Sequence, residues 1–329
     1  MTSAVARRTG HGFIFVLGTG RCGSTVVQEL LARHPDVGFI SNVDALLADL
    51  DLRGRWNSAI YARTPSRYSR RDAAYLQRLR FTLRERMHFG PSEGYRLISR
   101  RLAPLVTAPV RDLTEDDVTP WLERRFRDFF EDRRRAQGKP VFLHKFTGWP
   151  RARFIHAVMP AARFIHVVRD GRAVASSIMQ RPWWRGYLGP EGWGFGPLSA
   201  EDRTAWEATG RSFVALAGLE WKVLMAAFER ARSSVPTELW TEVRYEDLIG
   251  NPRVEFGRLL SFAGIRWNDA FERAFVIQPF TSSRREAFRR DLSPDQVETL
   301  ERLLRPELRR LGYVDEGVGD EAGRVERVS

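Results

Sequence analysis

Cysteine is almost absent from this sequence, and lysine is scarce. A single cysteine, Cys22, in 329 residues excludes a disulfide framework and any metal site built on several cysteines. Of 53 basic residues only three are lysines, Lys139, Lys145 and Lys222; the rest are arginines. No apolar run approaches the ~20 residues of a membrane span. The short apolar run 13–17, behind the N-terminal MTSAVARRTGHG, leads straight into glycines. It falls short of the ~7–15 apolar residues of a secretory leader, so the sequence reads as a cytoplasmic protein.

Apolar and aromatic residues are plentiful. Hydrophobic residues make up 43% and aromatics 12%, with 21 Phe and 10 Trp, which is enough to bury a large core and excludes wholesale disorder. The length suits one large domain or a domain with a decorated insertion. The net charge of +12 fits a solvated arginine-rich surface. It also fits attraction to an anion: a phosphate-bearing cofactor, an acidic substrate, a membrane surface or nucleic acid. Charge alone does not choose among these.

The pattern along the chain is strand, glycine loop, helix. Residues 13–17 are continuously apolar and rich in β-formers, as a strand covered on both faces must be. Gly18 to Gly23 break the run. Val26, Val27, Leu30 and Leu31 then recur at helical spacing until His34-Pro35 stops the helix, and 37–40 reads as a second strand. Residues 45–138 are arginine-rich and amphipathic, and read as a helical insertion or cap. Within them Val118, Trp121, Leu122, Phe126, Phe129 and Phe130 form one apolar stripe, which Gln137-Gly138 ends. Further strands are expected at 141–145, 164–168 and 239–243, with helices after Pro150, Gly171 and Pro252. Strands alternating with helices imply a parallel sheet with right-handed crossovers. The segment 181–198 holds three Trp, five Gly and three Pro; it reads as a packed structural loop or as the wall of a pocket. A capping box at Ser293 to Gln296 opens a last helix, and the tail 315–329 reads as disordered.

The sharpest local signal is Gly18-Thr19-Gly20-Arg21-Cys22-Gly23-Ser24-Thr25. It lies where a parallel strand feeds a helix, so free N–H groups and the helix dipole converge on one point suited to phosphate or sulfate. Gly18 and Gly23 match the spacing of the nucleoside-triphosphate loop G-x-x-x-x-G-K-[ST], and Thr25 supplies its hydroxyl, but Ser24 stands where that loop has lysine. The missing lysine argues against a kinase or GTPase. A second signal is Arg169-Asp170-Gly171-Arg172-Ala173-Val174-Ala175-Ser176-Ser177: a cation closing a strand and a hydroxyl eight residues on, in the next helix.

Together the two segments resemble the sulfotransferases that use 3′-phosphoadenosine 5′-phosphosulfate, in their bacterial and membrane-type branches. The loop Gly20 to Thr25 is similar to the family's 5′-phosphosulfate loop, and Arg169 to Ser177 to its 3′-phosphate motif. Arg244-Tyr245-Glu246-Asp247-Leu248 with Asn251-Pro252 is similar to the segment before its last core helix. The matches span about half of the chain. The resemblance implies a three-layer α/β fold: a parallel sheet flanked by helices, of the P-loop type, in a single domain over 1–329. It implies that Gly20, Arg21, Cys22, Gly23, Ser24 and Thr25 cradle the 5′-phosphosulfate, that Arg169 and Ser177 hold the 3′-phosphate, and that Tyr245 lies by the adenine. Arg21 and Lys145 would neutralise charge on the transferring group. Arg285, beside Arg284, would add to the cofactor clamp, although the family's glycine-rich basic motif is missing there. For the base, the family's histidine two residues after the strand lysine is replaced by Thr147. Asp44 is the first choice and His144 the second, while His166 reads as a buried structural residue.

The expected function is sulfuryl transfer to a hydroxyl of a carbohydrate, lipid, phenol or natural product, leaving adenosine 3′,5′-bisphosphate, with no metal. No specific nucleic-acid partner is expected, and a peripheral contact with a membrane surface is compatible with the charge. The other readings are a P-loop nucleotide kinase or NTPase, which would turn over ATP with a metal, and a non-catalytic polyanion-binding protein, whose binding would survive loss of Arg21 and Arg169.

Overall fold

The computed structural model describes residues 12–63, 89–107, 110–280 and 284–314. Five strands form one all-parallel sheet: β1 (Gly12–Gly18), β2 (Val37–Phe39), β3 (Val141–Thr147), β4 (Arg163–Val168) and β5 (Trp240–Arg244). Their spatial order is β2-β3-β1-β4-β5, so the first strand is the central one. The register sets Val16 beside Lys145 on one side and Ile165 on the other.

Burial on both faces explains the continuous apolar runs. Ile14 and Val16 join Val27, Leu30 and Leu31 of the helix Ser24–Leu31, and Phe256, Leu259 and Leu260 of the helix Pro252–Ala263. Phe15 points to the opposite face, among the rings of Phe126, Phe130, Phe146 and Phe164. Each such buried ring contributes about 1.5–3 kcal/mol relative to exposure. The result is a three-layer α/β structure, as the sequence pattern implies.

The helix Pro120–Gln137 departs from the expectation of a cap. Its buried face carries Leu122, Phe126, Phe129 and Phe130, and Phe126 and Phe130 contact Phe15 of the central strand, so this helix is one of the sheet's covering layers. Leu122, Phe126, Phe129 and Phe130 of the expected stripe are buried, and what they cover is the core. Trp121, which the same stripe included, is exposed. The rest of the expected insertion contains the short helices Asn57–Tyr61 and Tyr95–Arg101; its part 64–88, like the tail 315–329, lies outside the described residues.

The chain forms two compact units. The described residues up to Arg169, together with those of 226–285, make the first, which holds the whole sheet. Asp170–Met225 and the described residues from Glu286 onward make the second. In the second unit, Arg172 forks onto Asp170 and also reaches Glu301 of the helix Pro294–Arg310. Gly218 lets that helix come close, since a Cβ there would lie 2.6 Å from Leu300 Cδ2. The aromatic loop belongs to this unit and is packed in part: Trp184 and Trp193 are buried, whereas Trp183 and Tyr187 are exposed. Trp184 Nε1 donates to Glu220 at 2.9 Å.

Candidate active site

The site grows from the C-terminal end of β1. At Gly18 a side chain is impossible without movement: a Cβ would lie 2.4 Å from Cys22 Sγ and 3.1 Å from the carbonyl of Val167. The chain then bends sharply through Gly20, Arg21 and Gly23, whose φ values are 86°, 56° and 96°. Glycine tolerates that region and arginine does so at a cost, so Arg21 sits in a backbone state held by its surroundings. Gly23 is the N-cap of the helix Ser24–Leu31, whose first turn carries no acidic residue. A helix N-terminus left without a carboxylate keeps its positive end for a ligand.

Three further elements meet this loop. From β3, Lys145 Nζ donates to Thr25 Oγ1 at 2.8 Å. From the end of β4, Arg169 Nη1 donates to the carbonyl of Arg21 at 2.9 Å, and Nη2 to the carbonyl of Arg284 at 2.6 Å. From the end of β5, the Tyr245 ring packs against Gly23 and lies 4.5 Å beneath the Arg169 guanidinium. The loop, Lys145, Arg169, Tyr245 and the backbone of Arg284 are therefore one assembly, with the exposed side chains of Arg284 and Arg285 at its edge. Tyr245 is buried and supports the loop through Gly23. Ser177 lies half-buried in the helix Gly171–Met179, in the second unit.

The two carboxylate and imidazole candidates for the base have other surroundings. Asp44 is the N3 residue of a capping box: its Oδ2 accepts from the Ser41 N–H and Oγ, both at 2.8 Å, and from Asn57 Nδ2 at 2.6 Å. With three donors on one buried oxygen, it holds a turn together. His144 faces away from its neighbour Lys145, as strand alternation requires, and lies among Phe15, Phe130 and Phe146. Burial first, and then the charge of Lys145, pull its pKa down to about 3. Such an imidazole is sealed off and weakly basic. His166 behaves as expected of a structural residue, stacked on Phe228 with Nδ1 3.0 Å from Glu242 Oε2.

Sequence reasoning missed a carboxylate that does reach the site. Glu93 Oε1 lies 3.0 Å from Lys145 Nζ and accepts from Thr147 Oγ1 at 3.2 Å. Tyr95 Oη lies 3.0 Å from the same threonine hydroxyl, and accepts from the Thr147 N–H at 3.1 Å. Burial, and then the charge of Glu93, push the Tyr95 phenol up to about 12, so it remains a neutral hydrogen-bonding group. Below it Arg151, almost wholly buried, donates to the carbonyls of Val106, Trp149 and Thr107 and fixes the chain beyond β3. No local pattern marks Glu93; only its partners across the sheet do.

The residues fit an anionic donor. Gly20 has open space above its Cα, the helix start carries no competing acid, and Lys145 and Arg21 are basic groups of the same corner. Such a corner on a parallel sheet suits a phosphate- or sulfate-bearing nucleotide. The model of the sulfotransferase family matches residues 14–269, and the chain belongs to that family. Its activity is sulfuryl transfer.

Among solved structures, a sulfotransferase from Mycobacterium avium shares the fold at 18% identity, with a TM-score of 0.53 over 91% of this chain and 76% of that one. The sulfotransferase domain of the Synechococcus PCC 7002 olefin synthase matches at 17% identity, with a TM-score of 0.46 over 89% of this chain and 94% of that one. A mouse sulfotransferase complexed with PAP matches at 13% identity, with a TM-score of 0.41 over 92% of this chain and 87% of that one. No curated protein sequence matches the chain. Among the described residues, no helix is long and apolar enough to cross a membrane.

Proposed function

We propose that this enzyme transfers a sulfuryl group from 3′-phosphoadenosine 5′-phosphosulfate to a hydroxyl of a small molecule, glycan or lipid. The observation that carries the proposal is the assembly of Lys145, Thr25, Arg21 and Arg169 around one strand-to-helix corner. The donor supplies an activated sulfuryl group on a phosphate that leaves. The residues Gly20, Arg21, Cys22, Gly23, Ser24 and Thr25 would surround its 5′ end, with the backbone N–H groups of the helix start directed at the anion. Arg21 and Lys145 place fixed positive charge where charge develops on the leaving phosphate, and positioning plus fixed charge supply most of the catalysis in such transfers.

Arg169 has a double part in this reading. Its hydrogen bonds to the carbonyls of Arg21 and Arg284 shape the wall of the site, and its charge, with that of Arg285, favours the 3′-phosphate. Ser24 in place of the lysine of nucleoside-triphosphate loops removes the group that would reach a γ-phosphate. A cytoplasmic location belongs to the same proposal and is checked by cell fractionation.

The test is isothermal titration calorimetry with adenosine 3′,5′-bisphosphate in the presence of EDTA. The expected result is saturable binding that Mg-ATP does not match. Failure of the bisphosphate to bind, or a preference for Mg-ATP, would overturn the proposal. Polyanion binding that persists in Arg21→Ala and Arg169→Ala would point instead to the non-catalytic reading.

A further inference from the structure

Glu93 reaches the site by a route outside the five-stranded ladder. Just beyond β2, the N–H of Asn42 donates to Gly90 O at 3.0 Å and the N–H of Ser92 to Ile40 O at 2.8 Å, around an antiparallel bridge between Ser41 and Pro91. Residues 90–92 thus run beside the chain leaving β2, and β2 is the neighbour of β3. Gly94 then turns with a φ of 59°, where a Cβ would lie 2.8 Å from Ile40 Cγ2, and sends the chain into the helix Tyr95–Arg101. The pairing before Glu93 and the turn after it fix the carboxylate at the end of β3. There it meets Lys145 and Thr147.

The pair is unequal. The Lys145 side chain is 6% exposed and that of Glu93 is 27% exposed, so the carboxylate is the partner open to an incoming molecule. Lys145 also holds Thr25 of the anion loop, which places its ammonium between the loop and Glu93. The charged and titratable groups that face Glu93 are Lys145 from β3, Arg151 at the start of the helix Ala152–Val158, and Tyr95 from its own segment. Arg151 is committed to backbone carbonyls and Tyr95 to Thr147, so Lys145 is the partner placed to change contacts.

Resting on the sulfuryl-transfer reading, we infer that Glu93 accepts the proton of the incoming hydroxyl, and that Lys145 exchanges Glu93 for the donor's anionic group when the donor binds. In the step, the acceptor oxygen forms its bond to sulfur as the O–H proton passes to the Glu93 carboxylate. The bond from sulfur to the phosphate oxygen breaks, and its electron pair stays on the phosphate, facing Arg21 and Lys145. The products are a sulfate ester, adenosine 3′,5′-bisphosphate and a protonated Glu93, which returns its proton to water. An ammonium drawn to the donor leaves the carboxylate uncompensated beside new negative charge, which favours taking up a proton. The base is thereby unmasked only in the loaded enzyme.

Two readouts test this. The first is calorimetric titration with adenosine 3′,5′-bisphosphate in mildly acidic buffers of different ionisation heats. Wild type is expected to take up protons on binding; Glu93→Gln is expected to bind within about threefold of wild type and to lose that uptake. The retained affinity also shows that the variant is folded. The second is release of labelled sulfate from the radiolabelled donor with water as the only acceptor. Glu93→Gln is expected to slow it by about a hundredfold, within the usual range for a general base, and formate is expected to restore part of the rate in Glu93→Ala.

Unchanged proton uptake in Glu93→Gln, unchanged sulfate release, or no response of Glu93→Ala to formate would each overturn the inference. So would a wild-type release rate equal to that of buffer alone. If neither wild type nor variant binds the bisphosphate, the donor assignment itself has failed, and this inference with it.

Discussion

Arg169 and Arg21 are joined by a guanidinium-to-carbonyl hydrogen bond of 2.9 Å, so the corner closing β4 holds the loop that follows β1. The other arm of the same guanidinium, on the carbonyl of Arg284, ties in a third segment. Two strand ends far apart in sequence are thereby built into one wall.

Removing that tie should loosen the pocket. Arg169→Ala is expected to weaken bisphosphate binding by about 10–100-fold, since each hydrogen bond from a charged group contributes about 1.5–3 kcal/mol. Arg169→Lys should restore only part of the affinity, because an ammonium lacks the planar fork that reaches both carbonyls. Calorimetric affinities of the three proteins check this, and equal affinities would remove Arg169 from the wall.

Gly23 should not tolerate a methyl group. Its φ of 96° disfavours any side chain, and a Cβ would lie 2.4 Å from the Tyr245 ring. Gly23→Ala is expected to cost about 1–3 kcal/mol from backbone strain alone, read as a lower urea midpoint. Adding Tyr245→Ala should not rescue it, since the strain at φ remains when the ring is gone.

Lys145 and Arg21 should matter more to turnover than to affinity. In Lys145→Ala and Arg21→Ala, single-turnover loss of the labelled donor is expected to slow by about 10²–10³-fold, as for loss of one fixed stabilising group in a transition state. Bisphosphate affinity should fall by less than about tenfold. Wild-type kinetics in Lys145→Ala would take that residue out of the chemistry.

Glu220, in the second unit, predicts a pH dependence of stability. Burial raises its pKa from 4.5 to about 8, with Trp184 donating to it. The folded state therefore holds a proton that the unfolded chain has already released above pH 4.5. Stability should fall as pH rises from about 4.5 towards 8 and level off above that. Glu220→Gln, neutral and of similar shape, should flatten this dependence and be the more stable protein at the alkaline end. Urea midpoints across the window measure it; parallel curves for the two proteins would contradict it.

The strands were legible because a strand covered on both faces must be apolar throughout. The run expected at 13–17 is the centre of β1, that at 164–168 is β4 without its first residue, and the expected 239–243 is offset from β5 by one residue. The loop at Gly18 to Thr25 was legible because its glycines and hydroxyls are contiguous. The surroundings of the base candidates were partly readable. Ser41 and Asp44 stand at capping-box spacing, and His144 adjoins Lys145, so the two must face opposite sides of the sheet. Glu93 was not readable. Its place depends on residues 90–92 pairing with 40–42, a contact across about fifty residues of arginine-rich chain that leaves no periodic mark. The covering role of Pro120–Gln137 was hidden for a related reason: an apolar stripe tells that a helix is buried, and says nothing of what it is buried against.

The tie from Arg169 to the loop carries a further meaning for recognition. A loop clamped by a neighbouring guanidinium, braced by a tyrosine ring and hydrogen-bonded from Gly148 to Gly18 is already shaped before any nucleotide arrives. The entropy of ordering the loop falls on the folding reaction, so association at this end should need little movement of its backbone, apart from the exchange of contacts by Lys145, with an on-rate set by diffusion and charge.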